Sequence, residues 1–259
     1  MTALLDRIAL EFPDSSRSTL RKWLKNGRIL VDGKKVKAPN AVIKEGAHIS
    51  LKEKQKFLEL DVEVLYEDRD LVVVNKPEGV LSVATVFQTE DTVHGVLKKT
   101  YSRAFPVHRL DRETSGVMVV ALTEEAREGL KEQFHSHSIE RKYVAIVRGK
   151  LEGSGTWQCR LLEDQNYFVR PHPKGAIAIT HYRVLNTRGK TSAVEYTLET
   201  GKKNQIRAQS LAAGYPILGD QKYGDTASGR LHLHAAHLAF THPVTGKEMS
   251  FQAPPMFEV

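Results

Sequence analysis

A short polar run, Lys52–Lys56, divides the 259-residue chain into two parts of different charge. Residues 1–56 hold 13 basic and 6 acidic side chains, a net charge of +7, whereas residues 57–259 hold 25 of each. The whole positive excess therefore lies in the first fifth of the chain. This break predicts two folding units, a small basic domain over 1–56 and a larger domain over 57–259, and a polyanionic partner for the first.

The composition excludes several classes of protein. With 41% hydrophobic residues the chain can bury a core, which argues against wholesale disorder. The single cysteine, Cys159, excludes an internal disulfide framework and a thiolate zinc cluster, and it suits a reducing compartment. The longest apolar run, Val117–Leu122, is too short to span a membrane, and no secretory signal follows Met1. We therefore expect a cytoplasmic protein without membrane contact.

Hydrophobic spacing and turn signals in the basic part predict two helices followed by a hairpin. Ser16 or Ser18 is the expected cap of the second helix, which runs to about Asn26 with Gly27 just past its end. Asp32–Gly33 predicts the hairpin turn. The second helix places a basic stripe beside its apolar face. The cations expected to contact a polyanion are Arg17, Arg21, Lys22, Lys25, Arg28, Lys34 and Lys35.

This order of elements resembles the S-four-type RNA-binding domain, first recognised in a small-subunit ribosomal protein. The resemblance rests on Ser16–Leu20, Asn26–Ile29 and Val31–Lys34. Domains of this type recognise the shape and backbone of RNA more than its base sequence. The resemblance implies a small α/β RNA-binding domain, and an ordinary solvated basic surface is the alternative.

The larger part of the chain predicts a different architecture. Short β-rich segments dominate it, and helical patterns interrupt them, one capped by Thr123 and another running from about Gln205 to Gly214. The predicted strands are 62–66, 71–75, 117–122, 143–148, 177–185 and 193–198. This alternation favours an α+β domain with a mixed, largely antiparallel sheet.

Histidine and cysteine patterns give no strong signal for a metal or a thiol nucleophile. The chain has 11 histidines, but the closest group, His232, His234 and His237, has no cysteine or carboxylate near it in sequence to complete a tetrahedral site. Cys159 has no histidine near it in sequence to activate its thiol. We therefore expect no metal and no cysteine catalysis.

The segment that enters the strand at Val117 leaves more than one interpretation open. By residue type alone, Asp111 between Arg109 and Arg112 is a turn carboxylate held by ion pairs. A serine hydrolase that uses Asp111 with His108 and Ser115 is disfavoured, because the members of such triads come from separate elements.

Four motifs in the same order resemble those of the RluA family of RNA pseudouridine synthases. The most specific is His108–Gly116, with the sequence His-Arg-Leu-Asp-Arg-Glu-Thr-Ser-Gly. Glu67–Gly79 precedes it, Arg141–Ala145 follows it, and the third motif of the family matches Gly201–Arg207 together with Gly219–Gly224. The resemblance extends from about residue 62 to residue 255.

The details of the motifs distinguish this chain from neighbouring families. The sister RsuA family also carries the small N-terminal domain, but its signature has Gly where this chain has His108, so the RluA type is preferred. Asn204 replaces a His that is frequent in the family, and Ala208–Gln209 replaces a frequent Val-His.

The resemblance implies a reaction and the residues for it. Isomerising uridine breaks a C–N bond and forms a C–C bond without gain of electrons or groups, so no cofactor is expected. Asp111 would be the catalytic group at the junction of ribose and uracil, and Arg207 would pair with it. Tyr143 would face the uracil, and Arg109 would fill the gap that the flipped nucleotide leaves.

These features predict an RNA pseudouridine synthase acting on structured RNA, with large-subunit ribosomal RNA favoured and transfer RNA as the second candidate. We expect a monomer. One alternative is a catalytically silent RNA-binding or ribosome-assembly factor of the same fold, against which the presence of Asp111, Tyr143 and Arg207 argues. The other is a hydrolase, which would need an activated Ser115 or Cys159.

Overall fold

The computed structural model describes residues 2–13, 15–25, 27–44, 46–52, 56–85, 91–225 and 229–259. The chain forms two compact units, Met1–Gln55 and Lys56–Val259. Asn26 and most of the predicted linker, 53–55, lie outside the described residues. In the part of the chain that is described, no helix is long and apolar enough to cross a bilayer.

The N-terminal unit packs two helices against short antiparallel strands. Its elements are β1 (Thr2–Ala3), α1 (Leu4–Glu11), α2 (Arg17–Lys25), β2 (Ile29–Val31), β3 (Lys34–Lys35), β4 (Val42–Ile43) and β5 (Ile49–Leu51). β2 lies between β3 and β5, and β1 pairs with β4. Of the two predicted caps it is Ser16 whose Oγ accepts a hydrogen bond from the Thr19 amide, at 3.2 Å. Gly27 follows α2 with φ 64°, the left-handed conformation that ends a helix.

In its described residues, the C-terminal unit is built on one sheet with three α-helices. Its helices are α3 (Val93–Thr100), α4 (Glu124–His135) and α5 (Gln205–Ala212), and a 3-10 turn covers Glu59–Asp61. Its strands are β6 (Lys56–Phe57), β7 (Glu63–Glu67), β8 (Leu71–Lys76), β9 (Phe105–Pro106), β10 (Ser115–Ala121), β11 (Glu140–Arg148), β12 (Ser154–Glu163), β13 (Val169–Pro171), β14 (Ala176–Arg188), β15 (Thr191–Leu198), β16 (Leu233–Thr241) and β17 (Glu248–Gln252).

The sheet is mixed and largely antiparallel, as predicted. Among the described residues its order is β13-β12-β14-β15-β11-β16-β10-β8-β7-β6, with β17 paired to β16 and β9 paired to β10. The pairing of β10 with β16 is parallel, and the other pairings are antiparallel.

The neighbouring strands β8 and β10 are buried on both faces, because a helix covers each face. Alternate residues of β10, such as Val117 and Val119, pack with Leu130 of α4. The residues between them, such as Met118, pack with Leu97 of α3. A strand covered on both faces has a continuous apolar sequence, as Val117–Leu122 does, instead of an alternating one.

Gly116 allows the parallel pairing of β10 with β16. An added Cβ would lie 2.2 Å from the carbonyl oxygen of Ala235, and the residue has φ 122°. Only glycine fits this approach. The glycine that ends the His108–Gly116 motif therefore sets how the loop before it enters the sheet.

Candidate active site

The loop that carries Asp111 is held by the chain segment that follows β8. The buried hydroxyl of Ser82 accepts a hydrogen bond from the Leu110 amide at 3.0 Å and donates one to the Leu110 carbonyl at 2.8 Å. The Gly79 amide donates to the Arg112 carbonyl at 2.9 Å. The backbone on both sides of Asp111 is thus fixed by hydrogen bonds, which holds the position of its Cα.

Lys76, at the end of β8, is fully buried beneath the same loop. Its ammonium donates to the carbonyl oxygens of Pro77, Val80 and Arg112 at 2.9, 2.7 and 3.1 Å. Burial lowers the pKa of Lys76 to about 7, although the negative charge of Asp111 and other nearby carboxylates opposes this shift. Nothing in the amino-acid sequence singles out Lys76, because lysine is rarely buried.

The Asp111 carboxylate is one-quarter exposed and contacts two side chains of the third motif. Its Oδ2 accepts hydrogen bonds from Nδ2 of Asn204 at 2.5 Å and from Nη1 of Arg207 at 3.2 Å. Asn204 has φ 49° and precedes α5, so the amino end of that helix also lies beside the carboxylate. The guanidinium and the helix dipole both favour a negative charge here.

Arg207 is itself held by a second carboxylate that the sequence did not single out. Its Nε and Nη2 donate to the two oxygens of Asp220 at 2.8 and 2.7 Å, and both residues are buried. Burial acts to lower the pKa of Arg207, but hydrogen bonding and charge from Asp220, and then the charge of Asp111, outweigh it and raise that pKa. Because Asp220 binds Nε and Nη2, the remaining nitrogen, Nη1 of Arg207, is available to contact Asp111. The same Nη1 lies 3.4 Å from the half-exposed carboxylate of Glu113.

Asn204 occupies the position where the family often has His, and it is part of a network. Its Oδ1 lies 3.3 Å from both the Lys222 ammonium and the Tyr223 hydroxyl. Lys222 also donates to the carbonyl of Tyr167 at 2.7 Å. Asn204 therefore uses its oxygen to accept and its amide to donate to Asp111, which fixes the orientation of the amide.

A cavity of about 520 Å³ opens in front of Asp111, a volume typical of small-molecule sites. Tyr143 of β11, Arg109 and Arg207 line the same cavity. Burial raises the pKa of Tyr143 to about 12, a shift that Arg141 opposes and Asp111 adds to. The Tyr143 hydroxyl therefore keeps its proton throughout the neutral range, and it can donate a hydrogen bond or relay a proton.

Arg109 is exposed at the edge of this cavity. In the part of the chain that the structure describes it makes no hydrogen bond or ion pair. The structure thus brings together in one cavity the four site residues that the family resemblance implied, Asp111, Tyr143, Arg207 and Arg109.

Ser115, the hydroxyl of the hydrolase alternative, is not an accessible nucleophile. Ser115 lies 2.8 Å from Nδ1 of His234, but both are buried, and Nε2 of His234 bonds the carbonyl of Ala253 at 2.9 Å. That nitrogen must donate, so Nδ1 accepts from the serine, and the pair ties β10 to β16 and the C-terminal segment. His108 accepts from the Val119 amide at 3.0 Å, and burial lowers its pKa to about 3.

The three histidines near the C-terminus are used separately. His232 contacts the carbonyl of Leu218 at 3.2 Å, and His237 contacts Ser250 at 3.0 Å. Among the described residues, the group with metal-ligand spacing is Asp68, Asp70 and His242. There the imidazole accepts two backbone amides on Nδ1 and bonds Asp68 at 3.0 Å through Nε2, so both ring nitrogens are occupied.

The predicted RNA-binding cations of the N-terminal unit divide into two groups. Arg17 pairs with Asp6 at 2.8 Å, and Arg28 is partly buried over Trp23, with its Nε on the carbonyl of Lys52 at 2.9 Å. The others are exposed, and the described residues give them no carboxylate partner; they are Arg21, Lys22, Lys25, Lys34 and Lys35.

Comparison with known proteins agrees with this arrangement. Residues 70–212 match the family described as RNA pseudouridylate synthase, and residues 5–49 match the S4 domain. A Pseudomonas aeruginosa protein named ribosomal large subunit pseudouridine synthase D is 34% identical over 96% of this chain and 88% of its own length. A Vibrio cholerae protein of the same name is 34% identical over 96% of this chain and 87% of its own length.

Solved structures support the fold. Human RNA pseudouridylate synthase domain containing 4 superposes with a TM-score of 0.61 at 27% identity, covering 74% of this chain and 88% of that one. Human RNA pseudouridylate synthase domain containing 1 has a TM-score of 0.65 at 24% identity, covering 76% and 84%. The chain therefore belongs to the RluA-type RNA pseudouridine synthases, which are isomerases, and it carries an S4 domain ahead of the synthase domain.

Proposed function

We propose that this chain converts specific uridines of large-subunit ribosomal RNA to pseudouridine, with Asp111 as the essential group. The observation that carries the proposal is the Asp111 carboxylate, paired with buried Arg207 at 3.2 Å and facing a cavity of about 520 Å³. The choice of ribosomal RNA is supported by the names of the two bacterial relatives, which align with nearly the whole chain.

The chemistry fits the residues present. The bond between N1 of uracil and C1′ of ribose breaks, C5 becomes bonded to C1′, and one proton leaves C5 while N1 gains one. Atoms and electrons balance, so the proposed reaction needs neither cofactor nor metal. An ionised carboxylate held by an arginine can act at this junction as a nucleophile or as a base. The protonated Tyr143 hydroxyl is proposed to assist the proton transfer at C5.

Tyr143→Phe tests that assistance. The phenyl ring keeps the stacking surface, so RNA binding should stay near normal while single-turnover isomerisation slows about 100-fold. Because the pKa of Tyr143 is raised to about 12, the parent should show no ionisation of this residue in its rate profile below about pH 10. Equal rates for parent and variant would mean that the hydroxyl takes no part.

We propose that the N-terminal unit comprises residues 1–56 and binds the body of the RNA through its exposed cations. Arg109 is proposed to fill the gap in the RNA stack that the flipped uridine leaves. Replacing Lys22 and Lys25 by Gln should weaken binding and reduce the slope of log affinity against log salt by about 0.7–0.9 per lost phosphate contact. The matched control is the same change at the exposed lysines Lys98 and Lys150 of the other unit. Equal slopes for the two pairs would contradict the proposal.

We further propose that the protein acts as a cytoplasmic monomer. The decisive experiment maps pseudouridine in ribosomal and transfer RNA from a deletion strain complemented with the parent gene or with Asp111→Asn. Sites that are restored by the parent alone, and that lie in large-subunit RNA, support the proposal. If pseudouridine is restored in transfer RNA alone, the substrate is transfer RNA and not ribosomal RNA. If the strains show no difference in pseudouridine, the result favours a catalytically silent RNA-binding factor.

A further inference from the structure

A second cavity, of about 510 Å³, adjoins the catalytic one. Its walls include Arg109, Tyr143 and Lys202, which also line the catalytic cavity. Its remaining polar lining comes from His108, His135, His137 and Arg141. No acidic side chain is among its lining residues in the described part of the chain.

Arg141 is the unusual residue of this cavity. It is only 9% exposed, yet the described residues give it no carboxylate, and its hydrogen bond is a long one from Nη2 to the carbonyl of Glu199 at 3.4 Å. Its Nε has no partner there. Buried cations are normally paired, because an unpaired charge away from water is strongly unfavourable. The described residues therefore leave this guanidinium without a counter-charge.

The guanidinium is nevertheless held in place. Its Cζ lies 5.7 Å from the centre of the Phe134 ring, and that ring stacks on His108 with centroids 4.6 Å apart. On another side it fills the space beside Gly201, where an added Cβ would be 2.4 Å from Nη1. A fixed planar guanidinium is suited to bidentate contact with an oxyanion.

The groups around the guanidinium leave an anion as the complementary ligand. Burial lowers the pKa of Arg141, and the neighbouring Tyr143 acts in the opposite direction. Burial and the charge of Arg141 also keep His108 neutral, with a pKa of about 3. Arg109 and Lys202 add positive charge on the wall shared with the catalytic cavity.

We propose that this second cavity binds a phosphodiester of the RNA strand beside the target uridine, with Arg141 as its main ligand. The proposal rests on the proposed function, since a strand that delivers a flipped base to the first cavity must place its backbone next to it. Phosphate contacts set register rather than sequence. Arg141 is thus a positioning residue for the uridine in front of Asp111.

The test is Arg141→Met, which keeps an unbranched, flexible apolar stem and removes the guanidinium and its charge. Half-saturating RNA concentration in single turnover should rise about tenfold at physiological salt, and the salt slope should fall by about 0.7–0.9. The melting temperature should stay level or rise, because an unpaired buried charge is removed. The control is Arg188→Met, an exposed arginine outside this cavity, which should change none of these values. A lowered melting temperature with unchanged affinity and slope would show a purely structural arginine and overturn the proposal.

Gly201→Ala provides an independent variant that keeps the charge but displaces it. The added methyl group must push Nη1 away, so RNA affinity should fall in the parent background. In the Arg141→Met background the same change should cost little further affinity, since the flexible thioether can yield. Equal losses in both backgrounds would contradict a shared role for the two residues.

Inorganic phosphate separates RNA from a free anion. Titrated without RNA at constant ionic strength, it should raise the melting temperature of the parent but not of Arg141→Met. Phosphate stabilisation combined with unchanged RNA affinity in the variant would assign the cavity to a free anion and overturn the RNA assignment. Failure of the parent to form pseudouridine in ribosomal RNA would instead refute the proposed function, whatever the variant does.

Discussion

Asp111→Asn is expected to bind RNA and to form no detectable pseudouridine, even with enzyme in excess over long incubation. The amide is nearly isosteric with the carboxylate, and its oxygen can still accept from Asn204 and Arg207. It has neither the negative charge nor the nucleophilicity that the reaction needs. Affinity should change little, because phosphate contacts made elsewhere dominate RNA binding.

The stability of this variant follows from the arrangement around Arg207. The guanidinium keeps its two bonds to buried Asp220, so losing the Asp111 charge leaves no unpaired buried arginine. Asp111 is also partly exposed, and water can replace what the amide does not supply. We expect a free energy of unfolding within about 1 kcal/mol of the parent, or a change in melting temperature of about 2–4 °C.

Melting temperature, RNA affinity and single-turnover isomerisation are measured on one preparation. The control is Glu113→Gln, the same chemical change at a half-exposed carboxylate that also contacts Arg207, at 3.4 Å. It should retain most of the activity. Residual isomerisation by Asp111→Asn within about tenfold of the parent would refute Asp111 as the essential group, and a collapse of stability would indicate an ion-paired structural turn instead.

Sequence patterns predicted the parts of the fold whose burial is regular. The continuous apolar runs of β8 and β10 and the Thr123 cap of α4 could be recognised, since each is a local pattern of residue types. β12 was missed because its alternate covered residues, Gly155, Trp157, Cys159 and Leu161, include a glycine and a cysteine, so the apolar alternation is weak. α3 was also missed, because Val93–Thr100 is short and contains a glycine.

In the active site, the sequence indicates the residues within motifs but not the residues that orient them. Ordered motifs nominated Asp111, Tyr143 and Arg207, because each motif has a recognisable string. No motif points to the partners that orient them: Asp220 lies within the match to the third motif without a distinguishing pattern, and Asn204 differs from the residue frequent in the family. Their roles depend on contacts across the fold: Asn204 reaches Asp111 from 93 residues away in sequence. Spacing carries no information on such pairs.

Asp220→Asn is expected to lower both stability and turnover, which distinguishes it from Asp111→Asn. Asp220 is buried and accepts Nε and Nη2 of Arg207, while its Oδ1 also accepts the Tyr223 amide at 3.1 Å. An asparagine amide would turn one N–H group toward a guanidinium that can only donate, so one of the two bonds is lost. The buried arginine is then left without its main counter-charge.

Removing one partner of a buried ion pair typically costs about 3–5 kcal/mol, so the melting temperature should fall by roughly 6–12 °C or more. The freed guanidinium can move toward Asp111 and Glu113, so turnover of the folded fraction should drop about 100-fold while RNA affinity stays within about threefold.

Thermal unfolding and single-turnover rates at a temperature where the variant is folded check both effects. Glu113→Gln again serves as the control, since it removes an exposed partner of the same arginine. If Asp220→Asn behaved like Glu113→Gln, Arg207 would not depend on Asp220 for its position, and the orientation of Asp111 would have to come from Asn204 and the start of α5 alone.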